Sequence, residues 1–151
     1  DMWRIFGLLF FHDKEHFLLP GKKAFHKEAL VEFLTDKGIA LYDTATSVRR
    51  LQDNASDKFL EVIEPTDIRL LLKQLPHCQA IVTTGQKATD IIRSQIEVKE
   101  PAVGESCPFE FEDRSLLLYR MPSSSRAYPL ALEKKADFYR LMLNELGILQ
   151  E

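Results

Sequence analysis

Three hydroxyls and a guanidinium, Ser123-Ser124-Ser125 and Arg126, follow the apolar stretch 116–121 and Pro122. Side chains of these types donate hydrogen bonds, so such a loop can hold an anion, helped by the amides of a helix that starts just after it. Lys134 and Lys135 stand in the first turns of that helix. Pro-Ser-Ser-Ser is also ordinary loop chemistry, and the loop alone leaves both readings open. A second candidate is Gly85-Gln86-Lys87, where an apolar stretch ends in a glycine and turns directly into a helix. That is the pattern of a phosphate cradle, and it is also how many α/β helices begin. A third is Asp43, next to Tyr42 at the end of the apolar run 39–42. It can orient a polar ligand or a water, or close an Asx turn.

His12-Asp13-Lys14-Glu15-His16 matches the H-x-x-E-H pattern of a zinc-peptidase helix. That chemistry needs both histidines on one face of a continuing helix, plus a later acidic ligand. Pro20-Gly21 breaks the chain soon after, and no downstream residue is spaced as a third ligand. The segment reads as a solvated surface stretch, and no metal or other cofactor is expected. His26 and His77 read as surface residues.

Composition limits the classes available. At 151 residues, 45% hydrophobic with ten Phe, the chain can bury one full core and is expected to be a single domain over 1–151. No apolar run approaches the ~18 residues of a membrane span. The net charge of −3 argues against a broadly basic nucleic-acid binder, but leaves room for a small basic site on one face. Cys78 and Cys107 are isolated, which suits two free thiols in a reducing compartment. The chain opens at Asp1 with what reads as helix interior, so an incomplete N-terminus is expected.

The elements that must position these candidates follow from apolar spacing. Trp3, Phe6 and Phe10 put a largely buried helix over 2–11. Ala29, Leu30, Phe33 and Leu34 give a helix over 22–36, with Gly38 at its C-terminal cap. A strand is expected at 39–42, a polar loop at 43–47, and a short helix within 54–63. An amphipathic helix over 65–75 carries Pro65 in its first turn. Strands at 80–84, 109–112 and 115–120 surround the helix 86–95, and a last helix spans 131–146, capped by Gly147. Strands alternating with helices argue for an α/β fold with a mainly parallel sheet. In such a sheet the ends at Tyr42-Asp43, Thr84 to Lys87 and Met121 to Arg126 share one edge, where ligands bind.

Four segments together carry a family likeness. They are Asp1-Met2-Trp3-Arg4-Ile5; Gly38-Ile39-Ala40-Leu41-Tyr42-Asp43, with Arg49-Arg50 and Ala55-Ser56-Asp57 behind it; Ala80-Ile81-Val82-Thr83-Thr84-Gly85-Gln86-Lys87-Ala88; and Leu118 to Arg126. In this order and spacing the chain resembles the uracil-DNA glycosylase superfamily, most closely its mismatch-specific uracil-DNA glycosylase and DNA-deoxyinosine (hypoxanthine-DNA) glycosylase branches. The likeness covers nearly the whole chain. Met121 stands where the mismatch-specific branch has Asn before the proline, which favours the deoxyinosine-like or an uncharacterised branch and leaves the substrate base open.

The resemblance implies a three-layer α/β/α sandwich around a short, mainly parallel four-stranded sheet, with the first strand missing from this chain. It implies a base-flipping enzyme that cuts the N-glycosidic bond of a deaminated base without a metal, in base-excision repair. Tyr42 and Asp43 would line the base pocket. Gly85, Gln86 and Lys87 would hold a phosphate. Pro122, Ser123, Ser124, Ser125 and Arg126 would press into the duplex. The main catalytic group is expected upstream of Asp1, with Asp43 the candidate inside the chain. DNA is the implied partner of a cytoplasmic monomer with no membrane contact. The rival of a different class is a non-catalytic nucleic-acid or nucleotide binding domain on the same fold.

Overall fold

The protein is described here by a computed structural model covering residues 2–19, 24–41, 45–50, 60–65, 67–123 and 128–149. It is a mixed α/β protein with five helices and five strands among the described residues. Two compact units divide it: Asp1–Tyr42 with Leu130–Glu151, and Asp43–Pro129. No helix among the described residues is long and apolar enough to cross a membrane.

The first unit is helical. Helix α1 runs Met2–Phe11, as the Trp3/Phe6/Phe10 spacing predicts, and buries Ile5, Phe6, Gly7 and Leu9. It stops because His12 takes a left-handed φ of 56°, letting the amides of His12 and Asp13 reach back to the carbonyls of Leu8 and Gly7. Helix α2 runs Lys27–Lys37. His26 caps its start, its Nδ1 accepting from the Ala29 amide at 3.1 Å, and Gly38 at φ 70° ends it where the sequence predicts. Phe33 gathers the aromatic core: its ring centroid lies 4.9 Å from Phe10, 5.3 Å from Phe17 and 5.6 Å from Phe6. Helix α5, Leu132–Glu145, packs on α1 and sets Tyr139 edge-on to Phe6 at 6.3 Å. Rings at these separations and tilts gain from quadrupole alignment as well as burial.

In the second unit, strands β1 (Ala45–Arg50) and β2 (Leu60–Pro65) form an antiparallel ribbon, with Val48 opposite Val62. This corrects two expectations: 45–47 is strand where a polar loop was expected, and 60–63 is strand where a short helix was expected. Thr46, Val48, Val62 and Ile63 are β-branched, and cross-strand pairing outweighs the weak helical spacing there. Ile39, Ala40 and Leu41 do not form the strand expected at 39–42; the chain leaves the Gly38 cap without joining a ladder. Tyr42 lies outside the described residues.

Helix α3 spans Ile68–Gln74 and is capped by the Asp67 carboxylate, which accepts from the Leu70 amide. Pro65 belongs to β2, so the helix starts later than the sequence suggests. Strands β3 (Ala80–Thr84), β4 (Ser106–Phe111) and β5 (Arg114–Met121) form one sheet in the order β3-β5-β4. The β3–β5 pair is parallel and the β4–β5 pair antiparallel. A two-residue turn at Glu112-Asp113 joins β4 to β5; so short a connection can only return the chain antiparallel. The sheet is therefore three-stranded and mixed among the described residues.

Helices α3 and α4 (Gln86–Gln95) pack on one face of this sheet, with Leu72, Ile92 and Ile96 meeting Phe109, Phe111, Leu116 and Leu118. Arg114 ties the end of α3 to the sheet. Its guanidinium donates to the carbonyls of Leu72, Leu75 and Cys78 at 2.8, 3.0 and 2.7 Å. The Leu72 and Leu75 carbonyls also accept from the amides of Leu75 and Cys78, so Arg114 adds a charge-assisted bond to each where the helix ends.

Candidate functional site

Parallel pairing brings the ends of β3 and β5 side by side, because Thr84 stands opposite Met121. The next residue of each strand therefore leaves the sheet at the same edge. Gly85 donates its amide to the Met121 carbonyl at 3.0 Å. It then turns into α4 with φ 98° and ψ 172°, a conformation essentially restricted to glycine. A β-carbon built on Gly85 would lie 3.4 Å from the Ser123 Cβ. Pro122 and Ser123 are both buried beside that turn. Gly85, Gln86, Lys87, Pro122 and Ser123, predicted separately from the sequence, are thus brought together.

The N-cap residue of α4 is Gly85, which has no side chain to cap the helix. Its first-turn amides carry the partial positive charge of a helix N-terminus. The junction is stiffened from beneath. The Thr89 hydroxyl donates to the Gly85 carbonyl at 2.8 Å and lies 2.8 Å from the Thr83 hydroxyl. With the Thr89 proton given to Gly85, Thr83 is the donor to Thr89, with the Tyr119 carbonyl a longer alternative at 3.3 Å. Both threonines are buried, so the polar link is shielded from water and fixes strand to helix.

The side chain of Gln86 is engaged within the protein. Its Nε2 donates to Asp90 Oδ1 at 2.7 Å and to Glu100 Oε1 at 2.6 Å, and its Oε1 accepts from Arg120. The hydrogen bond from Gln86 holds the Glu100 carboxyl below the usual carboxylate range, and the charges of Arg120 and Arg93 add to it. While Glu100, Asp90 and Arg120 hold its side chain, what Gln86 can offer a ligand is its backbone amide. Lys87 is half-buried one residue further on.

Sequence reasoning missed Arg120, Glu100, Thr83 and Thr89. Arg120 carried one signal, a lone cation inside the apolar run 116–121. Tyr42, Asp43, Ser124, Ser125 and Arg126 lie outside the described residues, so two of the three strand ends expected to converge can be followed, and they do converge.

The 12–16 segment is a turn after the end of α1, with the Glu15 amide on Asp13 Oδ1 at 2.9 Å and the His16 ring stacked on Phe11 at 3.7 Å. No helix carries both histidines. Among the described residues no three His, Cys, Asp or Glu side chains are grouped to hold a metal. Cys78 and Cys107 are free thiols. No family model, no curated protein and no solved structure matches the chain.

Proposed function

We propose that the protein is a DNA glycosylase of the uracil/hypoxanthine superfamily, removing a deaminated base by flipping it from the duplex and hydrolysing its N-glycosidic bond. One observation carries the reading: the glycine turn into α4 and the Pro122-Ser123 exit of β5 are adjacent at the carboxyl ends of two parallel strands. This is where ligands bind in open α/β sheets. First-turn amides of a helix whose N-cap is a glycine, beside the start of a hydroxyl loop, suit a backbone phosphate.

In this reading the domain is a three-layer sandwich whose sheet is completed to four mainly parallel strands. Gly85, Gln86 and Lys87 hold a phosphate through backbone amides and the lysine. Pro122, Ser123, Ser124, Ser125 and Arg126 enter the duplex and fill the gap left by the flipped base. Tyr42 and Asp43 line the base pocket, and Asp43 is the candidate within the chain for positioning water. Cleavage builds positive charge on the sugar and negative charge on the departing base. Fixed donors to the base and a held water lower that barrier. The partner is DNA, met by a monomer in the cytoplasm. The net charge of −3 is compatible, because only the strand-end face has to attract phosphates.

The test is single-turnover cleavage of end-labelled duplexes carrying uracil or hypoxanthine, with alkali to break abasic sites, on this chain and on an N-terminally extended form. Abasic product from either form is the expected result, lost together with duplex affinity in Ser124→Ala/Arg126→Ala. Duplex binding without product from either form would replace the enzyme by a non-catalytic binding domain.

A further inference from the structure

We propose that Glu100 is an internal anion that masks Arg120, and that Arg120 joins the phosphate seat at the start of α4 once a nucleic-acid phosphate displaces that carboxylate. The proposal deepens the reading of the 85–87 turn as a phosphate seat and rests on it.

Arg120 stands opposite Thr83 in the parallel register of β5 and β3, one residue before the strand ends. Its side chain is only 16% exposed. One terminal nitrogen donates to Gln86 Oε1, on the first residue of α4, and the other to the Pro101 carbonyl at 3.2 Å. Its Nε is buried and has no hydrogen-bond partner among the described residues. A guanidinium held this way keeps donor capacity that the described residues do not use.

Glu100 comes from the loop between α4 and β4. Its Oε1 accepts from Gln86 at 2.6 Å and lies 3.8 Å from Arg120 Nη1. An oxygen bonded to an amide and set beside a guanidinium occupies the position a phosphate oxygen would take. The contact is easily exchanged, because the Glu100 side chain is 40% exposed and solvent-exposed ion pairs hold weakly. A duplex presents a row of phosphates and gains entropy from released counterions. One glutamate offers neither. Glu100 thus keeps weak anions out and yields to a polyanion.

The test uses amide chemical shifts of residues 85–87 and 120 during titration with inorganic phosphate, alongside duplex binding at several salt concentrations. Glu100→Gln is expected to tighten phosphate by roughly 2- to 5-fold. It should also steepen the salt dependence of duplex binding by about one counterion. Glu97→Gln makes the same charge change on the same loop and is expected to do less. In Glu100→Gln/Arg120→Lys the gain should disappear, since an ammonium cannot fork; a thermal melt matching the single variant shows that the double variant is folded.

Equal tightening by Glu100→Gln and Glu97→Gln would reduce the effect to net charge and overturn the proposal. So would phosphate that leaves these amides unmoved in both wild type and Glu100→Gln. Tightening specific to Glu100→Gln, with no duplex binding by either form, would keep the masking contact and remove the DNA reading.

Discussion

Gly85 and Ser123 pack so closely that a β-carbon on the glycine would lie 3.4 Å from the Ser123 Cβ, with Gly85 at φ 98°. The contact itself is tolerable. The dihedral is not, for any residue with a β-carbon. Gly85→Ala is expected to destabilise the second unit by about 1–3 kcal/mol and to weaken duplex binding, because the first amides of α4 swing away from Ser123. Urea unfolding and a binding isotherm check the two effects separately.

The Thr83–Thr89 hydroxyl pair gives a second expectation. Thr89→Val removes the donor to the Gly85 carbonyl and leaves Thr83 with its longer contact to Tyr119, at a cost of about 1–3 kcal/mol. Thr83→Val/Thr89→Val should cost less than the sum of the single changes, since the bond between the two hydroxyls is lost in each single variant and can be lost only once. A double-mutant cycle by urea unfolding measures the coupling, and strict additivity would mean that the two hydroxyls act independently.

Gly7 lies inside α1, where alanine would ordinarily gain about 1 kcal/mol in helix propensity. A β-carbon there would fall 2.4 Å from the Asp13 carbonyl oxygen. That oxygen is backbone, fixed by the turn that ends the helix, so the turn must open. Overpacking of this kind costs about 1–3 kcal/mol and is expected to win. Thermal melting of Gly7→Ala should show a lowered Tm; a raised one would show that the 12–16 turn yields freely.

Tyr139 is 2% exposed, and its hydroxyl has no hydrogen-bond partner among the described residues. Burial pushes its phenol well above the ordinary value. The sign follows from linkage. Below about pH 10 both folded and unfolded phenols are protonated, and stability is unaffected. Above that, the unfolded chain gives up a proton that the folded one keeps. Stability then falls by about 1.4 kcal/mol per pH unit from this group until pH passes the folded value. Tyr139→Phe removes that component of the alkaline slope and, by deleting an orphaned hydroxyl, is expected to be neutral or mildly stabilising near pH 7. Urea midpoints from pH 8 to 11 on both forms check it.

Short-range features were legible in the sequence. The aromatic spacing of α1, the Gly38 and Gly147 turns, the apolar runs of β3 and β5 and the glycine turn into α4 all depend on residues a few positions apart. Capping, propensity and periodicity act at that range. The Gly85 and Ser123 stretches were legible as chemistry for the same reason, since each is a local pattern of donors. The β1–β2 ribbon was not, because a two-stranded pairing across residues 51–59 leaves only alternation and branching to read.

The sequence by itself placed the segments of the five helices and the apolar runs of β3 and β5, though not the β1–β2 ribbon, and determined that a strand would end in glycine and another in proline and serine. Only the tertiary structure decided that these two ends are neighbours, since the parallel register of Thr84 on Met121 joins residues far apart in the chain. It also decided what the polar side chains do. Gln86 binds Arg120 across 34 positions, and Arg114 reaches the carbonyls of Leu72, Leu75 and Cys78 across 36 to 42. A guanidinium takes whichever acceptors the folded backbone presents, and no local pattern encodes that choice.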